Sequence, residues 1–305
     1  MRQSRIITLL TDFGNQDAYV GIMKGVIAGI NPAAHIIDLC HSIPPQDVFI
    51  GAYLLSTSYK YFPTGTIHVA VVDPGVGSKR DIVCVEIRNC LFLVPDNGIL
   101  SFIVQEENPK RIVQVTNSKY FLPVLSHTFH GRDLFASVAA HLSLGVQPLQ
   151  LGDATGQLAQ LDLPEPFHTK AGQLKGQIIY IDRFGNLITN ITREHLAQYI
   201  SNYTQYRAPR SGIKSKEQGD RNQTPDTLEN TSKNEIPTQD NTIKTILGRK
   251  KILGLKKTYT DVKQGEPLLL LGSAGFLEIS VNQGNAKKYF KVDRGNHIIV
   301  TLVSS

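Results

Sequence analysis

Asp73, Arg80 and His130 each stand beside a glycine-bearing turn, in Val71-Val72-Asp73-Pro74-Gly75-Val76-Gly77-Ser78-Lys79-Arg80 and in Thr128-Phe129-His130-Gly131-Arg132-Asp133. A carboxylate, a guanidinium and an imidazole brought together can hold and activate one water molecule. Each segment has a plainer reading. Asp73-Pro74-Gly75 is also an ordinary turn leaving an apolar strand. His130 can be structural, His127 competes with it for any role, and Arg132-Asp133 can be a helix-start ion pair.

Other polar residues are placed to bind. Asp12, in Thr11-Asp12-Phe13-Gly14, ends an apolar run, where a carboxylate can accept both hydroxyls of a ribose. Asp17 stands near a helix start and could instead cap it. In Asp182-Arg183-Phe184-Gly185-Asn186, Phe184 offers a face for a base and Asn186 an amide that both donates and accepts. Ser273, in Gly272-Ser273-Ala274-Gly275, lies in a small-residue turn that a ligand can approach closely. Pro95-Asp96-Asn97-Gly98 reads as a loop turn. Asp12-Phe13-Gly14 lacks the other kinase motifs. No Gly-x-Gly-x-x-Gly follows the first strand, which excludes a dinucleotide fold.

The elements that must position these residues follow from periodicity. Strands are expected at Ile6–Leu10, Ala34–Leu39 and Ile67–Val72, with helices at Asp17–Ile30, Val48–Ser58 and Leu134–Leu144. Ile82–Ile87 and Leu91–Pro95 form a hairpin around Arg88-Asn89-Cys90. Strands alternating with helices predict an N-terminal α/β domain, residues 1–156, with a mostly parallel sheet whose strand ends carry the site. A linker is expected over 157–172. Short strands with little helix then predict a smaller all-β barrel domain over 173–305. Within it, 207–245 is too polar to bury a core and is expected to be a disordered insert.

Bulk properties narrow the class. The chain has 305 residues and no run apolar enough to span a membrane. Three cysteines without paired spacing suggest buried thiols in a reducing cytoplasm, and no Cys/His spacing suggests a metal. The net charge of +6 is matched by a surplus of six between Arg207 and Lys257. Read as one solvated segment, that surplus argues against nucleic acid as the main partner.

Taken together, the motifs resemble the S-adenosylmethionine (SAM) hydrolase (adenosine-forming) family, the SAM hydroxide adenosyltransferases, relatives of fluorinase and chlorinase. The resemblance runs from about Ile6 to Ala286 and adds His41-Ser42-Ile43-Pro44-Pro45 and Ser273-Ala274-Gly275-Phe276-Leu277-Glu278 to the motifs above. It implies a homotrimer whose active sites lie between subunits, with SAM and water as substrates and no cofactor. It implies that Asp73, Arg80 and His130 handle water, and that Asp12 binds ribose and Asp17 the methionine amino group. Phe184 and Asn186 would contact adenine, and Ser273 the methionine end. The halogenases carry a tyrosine where Asp73 stands and a tryptophan where Gln46 stands, and fluorinase has an extra first-domain loop missing here. Two alternatives remain: a halide-dependent halogenase and a non-catalytic adenosine or SAM sensor.

Overall fold

The computed structural model describes residues 6–207 and 243–303. The chain divides between Leu163 and Pro164 into two compact units.

In the first unit, six strands form one sheet in the order β2-β1-β3-β5-β4-β6. They are β1 (Ile6–Thr11), β2 (His35–Cys40), β3 (Ile67–Val71), β4 (Ile82–Ile87), β5 (Cys90–Pro95) and β6 (Arg111–Gln114). β1, β2, β3 and β5 are parallel, and β4 runs antiparallel to both of its neighbours. β3 is buried along its whole length, as a central parallel strand covered on both faces must be. Helices α1 (Tyr19–Ile30) and α4 (Ser137–Ser143) close one face, where Ile7, Leu9 and Val69 meet Met23, Ile27 and Val138. Alternate residues point the other way. There His68 stacks on Phe92 and meets the edge of Tyr59, just past α2 (Val48–Ser58). Burial of His68 holds its imidazole down at about 4. A short α3 (Ser101–Glu106) and β6, neither expected from the sequence, complete the unit. The β4–β5 hairpin turns through Arg88 and Asn89 at φ 50° and 61°, the left-handed pair that a two-residue hairpin requires.

The second unit is a nearly closed, barrel-like sheet ordered β11-β10-β15-β8-β9-β14-β13-β12, with β7 paired to β8. Its strands are β7 (Phe167–His168), β8 (Leu174–Ile181), β9 (Leu187–Thr192), β10 (Ile243–Leu247), β11 (Lys250–Leu253), β12 (Leu255–Lys256), β13 (Pro267–Leu271), β14 (Phe276–Val281) and β15 (His297–Leu302). The unit is not purely β: α5 (Arg193–Arg207) and α6 (Ala286–Phe290) also belong to it. Leu196 and Tyr199 of α5 are buried in the barrel core.

Most of the insert expected at 207–245 lies outside the described residues, but its ends are shorter than expected. Arg207 closes α5 and Ile243 opens β10. The charge reading also changes. Residues 208–242 hold five Lys/Arg against six Asp/Glu. The positive surplus is carried instead by Lys244, Arg249, Lys250, Lys251, Lys256 and Lys257, on, between or just after β10, β11 and β12. Lys250 also lies 3.4 Å from the Tyr289 ring centroid, tying this hairpin to α6. The basic excess is therefore part of a folded surface, not of a solvated loop.

Candidate active site

β1 and β3 are parallel neighbours with Thr11 opposite Val71, so Asp12 and Asp73 leave the same edge of the sheet side by side. Asn97 keeps the second of these ends in place, donating from Nδ2 to the Val72 carbonyl at 2.8 Å. That gives the Pro95–Gly98 turn a supporting role beyond reversing the chain.

Arg80 folds back over Asp73. Its Nε donates to both carboxylate oxygens at 2.7 and 2.8 Å, and an Nη adds a further short bond. The same guanidinium reaches His130 Nδ1 at 3.0 Å. Arg80 can only donate, so Nδ1 must accept, and the neutral imidazole carries its proton on Nε2. Burial first, and the neighbouring Arg80 second, push the His130 pKa below its ordinary value of 6.5. The side chains of Asp73 and Arg80 are only 5% and 10% exposed, so this pair is screened little by solvent. His127 is exposed and is not part of this chain of bonds.

One feature shapes the His130 loop from within, and a second lets it lie against the Arg80 loop. Asp133, fully buried, accepts from the Ser126 backbone N–H at 2.6 Å and pairs with Arg132. It sits in a π-helical turn, Gly131–Ala136, an irregularity often found where a helix must present a functional group. Gly77 then lets the loops meet. At φ 78° any side chain would be strained, and its Cβ would fall 2.6 Å from the His127 carbonyl oxygen.

Asp12 has its own support. Its Oδ2 accepts from the Gln46 N–H at 2.7 Å, and Gln46 is held at φ 66°. The Gly14 N–H donates to the His41 carbonyl at 2.7 Å, and Thr11 Oγ1 lies 2.8 Å from His41 Nδ1. On its far side, His41 Nε2 stands 3.1 Å from Asp38 Oδ1. That approach does not satisfy hydrogen-bond geometry. The His41-Ser42-Ile43-Pro44-Pro45 motif thus braces the Asp12 turn through His41, and its last residue, Pro45, joins the cavity wall.

Asp12, Asp73 and His130 line one cavity of about 370 Å³. Phe13, Tyr19, Gln46 and Phe129 share its wall. Asp17 does not line it. It is exposed and precedes the α1 N-cap, Ala18, which makes no side-chain capping bond, so the capping alternative is not seen either. Tyr19 and Phe129 are wall residues that sequence reasoning did not single out. The only signal for them was proximity to motif residues, since aromatic residues near a helix start usually read as packing.

Phe184, Asn186 and Ser273 belong to the second unit. Asp182 organises the first two. Its Oδ1 accepts from the N–H groups of Phe184 and Asn186 at 2.9 and 2.8 Å, and its Oδ2 from Asn186 Nδ2 at 2.8 Å. The Phe184 ring is left 73% exposed. Ser273 is exposed in the turn between β13 and β14. β9 and β14 pair antiparallel, so this turn sits at the opposite end of the pair from Asn186. Among the described residues no group of three or more His, Cys, Asp or Glu side chains could hold a metal ion, and no helix is long and apolar enough to cross a membrane.

Residues 7–152 match the model for the N-terminal domain of the SAM hydroxide adenosyltransferases, and residues 176–221 and 226–299 match that for the C-terminal domain. The chain belongs to the SAM hydroxide adenosyltransferase family. Transfer of the adenosyl group of SAM to hydroxide is hydrolysis, giving adenosine and methionine. The chain is 34% identical over 297 residues to an (R)-S-adenosyl-L-methionine hydrolase from Methanocaldococcus jannaschii, covering 94% of this chain and 92% of that one. A fluorinase from Actinoplanes sp. is more distant, 25% identical with 97% of each chain covered. A solved structure of an uncharacterized conserved protein from Thermotoga maritima superposes with a TM-score of 0.80 at 32% identity, covering 96% of this chain and 99% of that one.

Proposed function

We propose that this hydroxide adenosyltransferase hydrolyses the R epimer at the sulfur of S-adenosyl-L-methionine by in-line attack of water on ribose C5′. The sulfonium leaves as a neutral thioether without protonation, so what the reaction lacks is a nucleophile. Free water has a pKa of about 15.7 and is a poor one. The observation that carries the reading is the Asp73–Arg80–His130 chain of bonds, of which Asp73 and His130 line the cavity and Arg80 stands behind them. With Nδ1 occupied by Arg80, His130 presents Nε2–H as a donor. Together with the guanidinium it favours the hydroxide-like form of the attacking water, while Asp73 holds Arg80 in place and balances its charge. The C5′–S bond breaks with its electron pair going to sulfur, the C5′–O bond forms, and one proton is released to solvent.

Asp12 takes the ribose hydroxyls in this reading, and Asp17 the methionine amino group. We also propose that the protein is a cytoplasmic homotrimer in which a second copy supplies Phe184 and Asn186 to adenine and Ser273 to the methionine end. The exposed Phe184 ring and the opposite placement of Asn186 and Ser273 along β9–β14 support it. The epimer assignment follows the name carried by the curated relative. A sulfonium with three different substituents is a stable stereocentre, so a hydrolase confined to one epimer leaves the other intact.

The test is incubation with each sulfur epimer, with and without chloride, followed by chromatography. Adenosine and methionine from the R epimer, independent of chloride and lost in His130→Ala, is the expected result. A halogenated nucleoside would move the chain to the halogenases. Binding without turnover would make it a sensor.

A further inference from the structure

Phe13, Tyr19 and Phe129 form a closed aromatic triangle in the cavity wall. Their ring centroids are separated by 5.9 Å (Phe13–Tyr19), 6.0 Å (Phe13–Phe129) and 5.0 Å (Tyr19–Phe129). Phe13 and Phe129 also pack against the core of the first unit, which explains their presence. Tyr19 does not. It stands on the first turn of α1, is 47% exposed, and lines the cavity beside Asp12 and His130. Core packing gives no reason for a large ring there.

The charges around the cavity narrow what the rings could meet. The Asp73 carboxylate is already neutralised by Arg80. Asp12 has a backbone N–H as its partner. The lining thus offers one carboxylate without a cationic partner, together with three π faces, and it suits a ligand with a diffuse positive charge. Phe129 already has one cation near it, the Arg132 guanidinium carbon at 5.4 Å, which leaves Tyr19 and Phe13 as the rings free to take another. A sulfonium spreads its charge over the methyl and methylene carbons bonded to sulfur, a shape that aromatic faces bind within about 6 Å of the ring centroid.

We infer that the Phe13–Tyr19–Phe129 corner is a sulfonium-recognition subsite, in which Tyr19 lets the protein select the cationic substrate over its neutral thioether analogue. The inference rests on the proposed reaction for the identity of the ligand. It adds a residue to the recognition set and a basis for discrimination. The thioether is S-adenosylhomocysteine, which keeps the adenosine and amino-acid ends and lacks only the methyl group and the charge.

The test compares the dissociation constants of R-epimeric SAM and S-adenosylhomocysteine by calorimetry. The proteins are full-length His130→Ala, which does not consume the ligand, and the same chain with Tyr19→Leu or Tyr19→Phe added. A cation–π contact of ordinary strength predicts that Tyr19→Leu weakens SAM binding by about 5- to 10-fold. Binding of S-adenosylhomocysteine should change less than about twofold, and Tyr19→Phe should restore the preference. Equal weakening of both ligands would overturn the inference, since the ring would then be contacting the adenosine or amino-acid part. An unchanged preference in Tyr19→Leu would overturn it too. Wild-type turnover, assayed separately, shows whether the hydrolase reading itself stands. Adenosine formation with an unchanged preference sinks only the subsite, and a protein that binds neither ligand sinks both.

Discussion

Asp73 and Asp182 both end an apolar strand, and each carboxylate accepts several hydrogen bonds, yet the donors come from different places. Asp182 is satisfied within its own turn, by groups two and four residues on. Asp73 is satisfied by Arg80, seven residues on, and that same guanidinium reaches His130, fifty residues further along the chain. A locally satisfied turn is a scaffold. It fixes the Phe184 backbone and the Asn186 amide. The Asp73 chain instead joins a fixed cation to a titratable imidazole at a cavity wall. By this comparison, damage to the first region should slow the chemical step, and damage to the second should weaken binding.

The sharpest way to break the comparison is Arg80→Ala. It removes the donor to His130 and leaves Asp73 unpaired, and kcat should fall by roughly 10²- to 10⁴-fold. Arg80→Lys should recover little, because a point charge cannot satisfy Asp73 and His130 in the same fork geometry. Steady-state kinetics on both variants checks this, and near-normal kcat in Arg80→Ala would erase the distinction between the regions.

Gly77→Ala adds a single methyl group that touches no catalytic group. Because it would press on the His127 carbonyl, the two loops should separate and kcat should fall by about 10-fold or more while the fold is kept. A thermal unfolding scan alongside the kinetics separates the two effects. Asp182→Ala should behave in the opposite sense. Loss of the turn's internal bonds should raise KM by about 10-fold with kcat changed little, since it removes binding common to ground and transition states.

The smallest effect concerns the titration of His130. Burial and Arg80 both disfavour the imidazolium, so His130 should titrate below 6.5. Only the neutral ring can accept from Arg80. Activity should therefore be level through neutral pH and decline as the pH falls through that lowered value. Replacing Arg80 by Ala removes the second largest of the causes that lower it, so the His130 pKa should rise in an NMR titration. A decline that instead begins above pH 6.5 would mean that another group controls the rate.

Much of the first unit is legible in the sequence because its elements carry full periodic signals. Val48–Ser58 was expected as a helix and is one, and the hairpin around Arg88 and Asn89 forms as its turn residues require. The Asp73, Arg80 and His130 set was also legible, because each side chain stands next to a glycine-bearing turn. The second unit was harder. In α5 the anchors Leu196 and Tyr199 are outnumbered by polar residues, so the helix merges with the polar stretch that follows it. In β10 to β12, apolar residues that alternate with lysines bury a barrel face, and next to that stretch the lysines read as part of it. His41, named only as part of a family motif, and Tyr19 have roles that escape a local reading for another reason. One acts through Thr11 and the other through a cavity wall, and neither relation leaves a trace in local spacing.

The central claim is that water, held by Arg80 and His130, supplies the oxygen that attacks C5′. The most direct measurement is turnover of the R epimer in ¹⁸O-labelled water, with mass spectrometry of the adenosine formed. The account predicts one label per adenosine, located in the 5′-hydroxyl group, and no labelled product in His130→Ala. Unlabelled adenosine, or label incorporated equally well without His130, would contradict it.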